Sequence, residues 1–106
     1  MTGVSFKRDK KGDIIKLQVK GHAGFDEEGL DIVCSAVSGI VFTAVKGIRE
    51  YLKIRGKFTR KKGFMVFEMP PGKVSSHSQA IMETALLGLK ELSEKYPEHL
   101  SVKETH

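Results

Sequence analysis

The stretch Ile15-Lys16-Leu17-Gln18-Val19-Lys20 alternates apolar and polar residues, and the pattern then changes period. From Val33 onward the apolar residues recur as Val33, Val37, Ile40, Ala44, Ile48 and Tyr51, at spacings of three and four. A period of two marks a strand with one buried face, and a period near 3.6 marks a helix with one buried stripe. The change from one to the other across a glycine-punctuated segment decides the fold class. Upstream, Val4 and Phe6 lead through the polar turn Asp9-Lys10-Lys11-Gly12-Asp13 into the alternating strand, so residues 4–21 read as a hairpin. Downstream, Asp31 is the expected N-cap of the long helix and Gly56 its expected stop.

A second hairpin is expected from Phe58 to Glu68, turning at Arg60-Lys61-Lys62-Gly63, with Met65, Phe67 and Met69 on one face. Pro70-Pro71-Gly72 ends it. Ser76 and Gln79 then have the spacing of a capping box for a second helix, whose stripe is Ile81, Ala85, Gly88, Leu89, Leu92 and Tyr96. Pro97 stops that helix, and Leu100 and Val102 alternate with His99, Ser101 and Lys103 as a short last strand. The order is β-β-α-β-β-α with a final β. Two hairpins and two striped helices bury their apolar faces most simply as one α+β domain over residues 1–106. Its architecture is a two-layer, mostly antiparallel sheet with both helices on one side.

The chain has 106 residues, 40% hydrophobic and 29% charged, which suits one globular core rather than a disordered chain. The apolar run Ile40-Val41-Phe42 breaks at Thr43, so no membrane span is expected, and no apolar leader follows Met1. A cytoplasmic location follows by default. The single cysteine, Cys34, is a free thiol, and without a Cys-x-x-Cys pair thioredoxin chemistry and the usual zinc modules are excluded.

Charge is unevenly spread. Residues 1–20 are net +4, residues 21–44 net −4 with no Lys or Arg, residues 45–62 net +7, and residues 63–106 net −2. The basic blocks are either solvated faces or contacts for RNA phosphates.

Cys34 sits three residues past the expected helix start, in its first turn. There the helix dipole and unpaired amide hydrogens favour the thiolate, the nucleophilic form. Asp31 and Glu28 act against this, so a cationic neighbour is required, and His22 is the candidate base. Small neighbours (Ser35, Ala36, Ser38, Gly39) leave space at the sulfur. Gly21, Gly24 and Gly29 give the intervening loop the composition of a segment that opens for substrate. The plain alternative is a buried structural cysteine with a capping histidine.

Gly21-His22-Ala23-Gly24 followed by Gly29-x-Asp31-Ile32-Val33-Cys34-x-Ala36-Val37-Ser38 resembles the signature of the Prp family of ribosomal-processing cysteine proteases. The resemblance implies an endopeptidase that removes a short N-terminal extension from the precursor of ribosomal protein L twenty-seven. It implies Cys34 as nucleophile and His22 as general base. Asp31 would orient His22, cap the helix, or do both, and Ser38 would support the thiol or the substrate. Ser35 and Gly39 depart from the family pattern. The implied substrate is an extended peptide with bulky apolar residues before the cleaved bond, received by the loop bearing Gly21, Gly24, Phe25, Gly29 and Leu30. No cofactor and no metal are implied, and a homodimer is expected of so small a two-layer domain.

The main rival is a basic RNA-binding module without catalysis, drawing on the Lys/Arg blocks and the formal Gly-x-x-Gly at 21–24. Asp26, Glu27 and Glu28 argue against phosphate there. A metal site from His22, Cys34, His77 and His99 matches no zinc spacing, and an inert interaction protein would hold a sluggish thiol.

Overall fold

The computed structural model describes residues 1–21 and 28–106, with residues 28–31 described as backbone only. Five strands and two helices follow in the order β1 (Thr2–Arg8), β2 (Ile14–Lys20), α1 (Glu28–Lys46), β3 (Lys57–Lys61), β4 (Phe64–Glu68), α2 (Ser76–Lys95) and β5 (Leu100–Thr105). The strands form one sheet in the order β3-β4-β2-β1-β5. Three ladders are antiparallel and one, β1 with β5, is parallel. The expected mostly antiparallel two-layer α+β domain is thus observed.

The topology accounts for the single helical layer. The crossovers β2-α1-β3 and β4-α2-β5 start from antiparallel strands and travel in opposite directions along the sheet. Right-handed crossovers of that kind deliver both helices to the same face. On that face Val4, Phe6, Leu17, Val19, Met65 and Phe67 meet Val33, Val37, Val41 and Ile48 of the first helical segment and Met82 and Leu89 of α2. Residues 32–51 are long and apolar enough to cross a membrane, which the broken Ile40–Phe42 run did not suggest. Their apolarity is used instead by the stripe buried against the sheet.

Several local readings are corrected. Ile14, fully buried, takes the core position expected of Ile15. The register steps from Lys7↔Lys16 to Arg8↔Ile14, so Ile15 is the extra residue of a bulge. α1 begins at Glu28, which makes Asp31 its fourth residue rather than its N-cap and places Gly29 and Leu30 in the helix rather than a loop. α1 ends not at Gly56 but in a π-helical turn, Gly47–Tyr51, closed by the Leu52 N–H donating to the Gly47 carbonyl. The capping box of α2 is Ser75 with Ser78, one residue earlier than expected, and the buried stripe of α2 includes Met82 and Leu86.

A charged cluster ties β1, β5 and α2. Arg8 donates to both oxygens of Glu83 (2.7 and 3.0 Å) and to Glu104 (2.8 Å), whose other oxygen accepts from Lys90 (2.7 Å). The Lys90 ammonium and the Arg8 guanidinium hold the Glu104 carboxyl down to about 2, and Arg8 lowers Glu83 as well. Carboxyls depressed in the folded state stabilise it fully above their unfolded value near 4.5, and the contribution fades as pH falls through the folded value. Melting temperature therefore declines between about pH 4.5 and pH 2, and Glu104→Gln flattens that decline in a pH series of thermal melts.

Candidate active site

Gly21 closes β2 with φ +73°, and a Cβ there would lie 2.9 Å from the Met1 carbonyl oxygen. Its N–H donates to the Gly63 carbonyl at the tip of the β3–β4 hairpin (2.9 Å). The end of β2, the hairpin tip and one flank of α1 consequently face each other across a cleft of about 490 Å³. Cys34 lines it, half-buried, and Ser38, one turn on, lines it too. Cys34 is the seventh residue of α1 and so stands in the second turn, not the first. The field of a helix end falls off within its first turn, so the start of α1 contributes little at the Cys34 sulfur.

Val19, Val37, Phe42 and Met65 supply apolar walls, and Arg60, Lys61 and Lys62 a basic rim. Arg60 sits opposite Met65 in the hairpin register, hence on the helix side, with its guanidinium carbon 4.6 Å from the centroid of the Phe42 ring. Phe42 meets Phe58 edge-on at 6.0 Å, and Phe58 meets Phe67 at 6.4 Å, so the rim is anchored to the core through three aromatic rings. Thr2, 1% exposed, also lines the cleft, and its hydroxyl has no hydrogen-bond partner among the described residues.

The structure thus brings Gly21, Cys34 and Ser38 together. His22, Gly24 and Phe25 lie outside the described residues, and of Gly29, Leu30 and Asp31 only the helical backbone is described. Sequence reasoning missed Phe42, Arg60 and Met65 as cleft residues, and only the strand register could have found Arg60. Among the described residues no three His, Cys, Asp or Glu side chains gather as a metal site would require.

A two-layer domain with a half-buried thiol in a part-apolar cleft between helix and hairpin is the setting of a thiol hydrolase. Residues 1–101 match the model of the family described as Cysteine protease Prp, and this chain belongs to that family. It is a cysteine protease. The Bacillus subtilis ribosomal processing cysteine protease Prp is 27% identical over 111 residues, covering 96% of each chain. The Mycoplasma genitalium protein of the same name is 31% identical over 88 residues, covering 83% of this chain and 86% of its own. A Streptococcus mutans crystal structure superposes with a TM-score of 0.88 at 28% identity, covering 99% of this chain and 94% of that one. The Staphylococcus aureus processing protease Prp in complex with a substrate peptide shares the fold, with a TM-score of 0.89 at 23% identity, covering 99% of this chain and 100% of that one.

Proposed function

We propose that this protease cleaves a short N-terminal extension from the precursor of ribosomal protein L twenty-seven, with Cys34 as nucleophile and His22 as its general base. The observation that carries the reading is Cys34 on the wall of a cleft whose apolar side chains, Phe42, Val37 and Met65, suit a bulky side chain of an extended peptide. The ribosomal assignment is supported by relatives named for ribosomal processing.

In the proposed reaction the His22 imidazole takes the thiol proton and the sulfur attacks the scissile carbonyl carbon, giving a tetrahedral oxyanion. Collapse breaks the C–N bond. The imidazolium returns its proton to the departing amine, and the acyl group remains on sulfur as a thioester. Water, deprotonated by His22, attacks the thioester; the acid is released and Cys34 regains its proton. Asp31 orients His22 in this scheme and Ser38 supports the thiol or the substrate.

The same reading includes a cytoplasmic location, a homodimer and contact with ribosomal RNA. The apolar groove between α1 and α2, bearing Ile40, Ala44 and Ile81, offers a second copy apolar surface to cover. The test is incubation with the precursor of ribosomal protein L twenty-seven from the same genome, read by intact mass. A single truncation is expected. An unchanged mass, with the isolated precursor and with ribosomes present, would overturn the substrate assignment.

A further inference from the structure

The sheet face turned away from the helices carries the chain's charge. Its cross-strand rows are Lys61-Phe64-Lys20-Gly3-Ser101, Thr59-Val66-Gln18-Ser5-Lys103 and Lys57-Glu68-Lys16-Lys7-Thr105. Six lysines stand against one glutamate, and Glu68 is 3.6 Å from Lys16. That imbalance equals the net charge of the whole chain, +5. The rest of the molecule, twelve basic groups against twelve acidic, is balanced. Five of the six lysines are exposed and Lys16 is half-buried. Among the described residues no helix covers this face, because α1 and α2 pack on the other side.

We infer that this lysine-studded sheet face is a docking surface for the phosphate backbone of RNA. The inference deepens the RNA contact of the proposed function and uses none of its cleavage chemistry. Phosphate neutralisation by Lys and Arg supplies most sequence-independent nucleic-acid affinity, and a face holding the full net charge supplies the long-range attraction.

Two details favour RNA over other polyanions. Phe64 stands half-buried between Lys61 and Lys20 in one row, a ring flanked by cations, the pairing an unstacked base and its phosphates require. Gly3 lies in a depression of about 630 Å³ lined by Ser5, Gln18, Ser101, Lys20 and Lys103. Its hydroxyl and amide groups give a 2′-hydroxyl donors and acceptors between the charges. An acidic protein would need neither the ring nor the polar hollow. With Phe64 the one aromatic among the described residues of the face, binding is backbone-led and tolerant of sequence.

The experiment is fluorescence anisotropy of the full chain with a labelled oligouridylate over a potassium chloride series. About five phosphate contacts give a slope of log affinity on log salt near −3.5 for a single strand. The triple variant Lys7→Gln, Lys16→Gln, Lys103→Gln should flatten the slope by about 2 and weaken binding about tenfold or more. Lys73→Gln with Lys95→Gln, both off this face, should leave it unchanged. Lys7→Gln alone, flattening the slope by about 0.7, serves as a second variant should the triple fail to fold. Cleavage of a free peptide should be equal in all variants, which separates the surface from the active site. Unaltered binding by the lysine variants, no binding at low salt, or equal affinity for polyglutamate or for oligodeoxythymidylate would each overturn the inference.

Discussion

By the proposed dyad, Cys34→Ala is expected to abolish peptide cleavage and to leave the fold standing. The side chain is half-buried on a cleft wall rather than in the core, so removing its sulfur opens no sealed cavity, and the stability change stays within about 1 kcal/mol. Loss of a nucleophile that acts with its base as one unit lowers kcat by about 10⁴-fold or more. Cys34→Ser is expected to be nearly as inactive, because a hydroxyl is far less nucleophilic than a thiol when served by the same base. The check is kinetics on the precursor or a peptide spanning its cleavage site, with thermal melts of each variant alongside. His22→Ala, by the proposed dyad, falls as far, and it slows alkylation of Cys34 at neutral pH. Retention of a tenth of the parent rate by Cys34→Ala would move the chemistry to another group.

That thiol was legible in the sequence because it is the only cysteine and stands on a helix among small residues; the walls around it were not. Period-two alternation and the 3.6-residue stripe identified every strand and both helices, and Met65, Phe67 and Met69 share the buried face as expected. What failed were features settled by distant partners. The core position of Ile14 depends on its pairing with Arg8 and on Gln79, whose amide donates to the Ile14 carbonyl (2.9 Å) and accepts from its N–H (2.7 Å). Engaged there, 65 residues away in sequence, Gln79 is not free to close a capping box with Ser76, and Ser75 with Ser78 forms the box instead. Asp31 and Gly29 have the composition of a cap and a loop, yet α1 runs through both. Intrinsic penalties of about 1 kcal/mol per residue are readily overridden by context. Arg60 belongs to a basic run that reads as solvated charge, and only the β3–β4 register turns it inward over Phe42.

Gly56→Val is expected to remove stability and activity together. Gly56 has φ +61°, the left-handed region, which costs a β-branched residue about 1–3 kcal/mol. A Cβ there would also lie 2.6 Å from the Glu68 carbonyl oxygen and 2.8 and 2.9 Å from two ring carbons of Phe67. Neither neighbour can yield. The first is β4 backbone, and the second is a ring with no exposed surface in the centre of the core. Overpacking of that kind adds about 1–3 kcal/mol, so about 4 kcal/mol is a fair central value for the whole. Against a total stability of about 5–15 kcal/mol for a domain of this size, melting falls by about 12 °C or more. The site suffers because Gly56 immediately precedes β3, the strand that carries Arg60 to the cleft rim, and because Phe67 supports the Phe58–Phe42 ring pair beneath it. Gly12→Val is the matched control. Gly12 has φ +89° but nothing within 4 Å of its Cβ position, so that variant meets the backbone strain without the collision. Gly56→Val should therefore melt well below Gly12→Val and show a raised KM for peptide, whereas equal melting of the two would mean that the chain before β3 shifts freely and that the close packing at Gly56 does not hold the hairpin against the cleft.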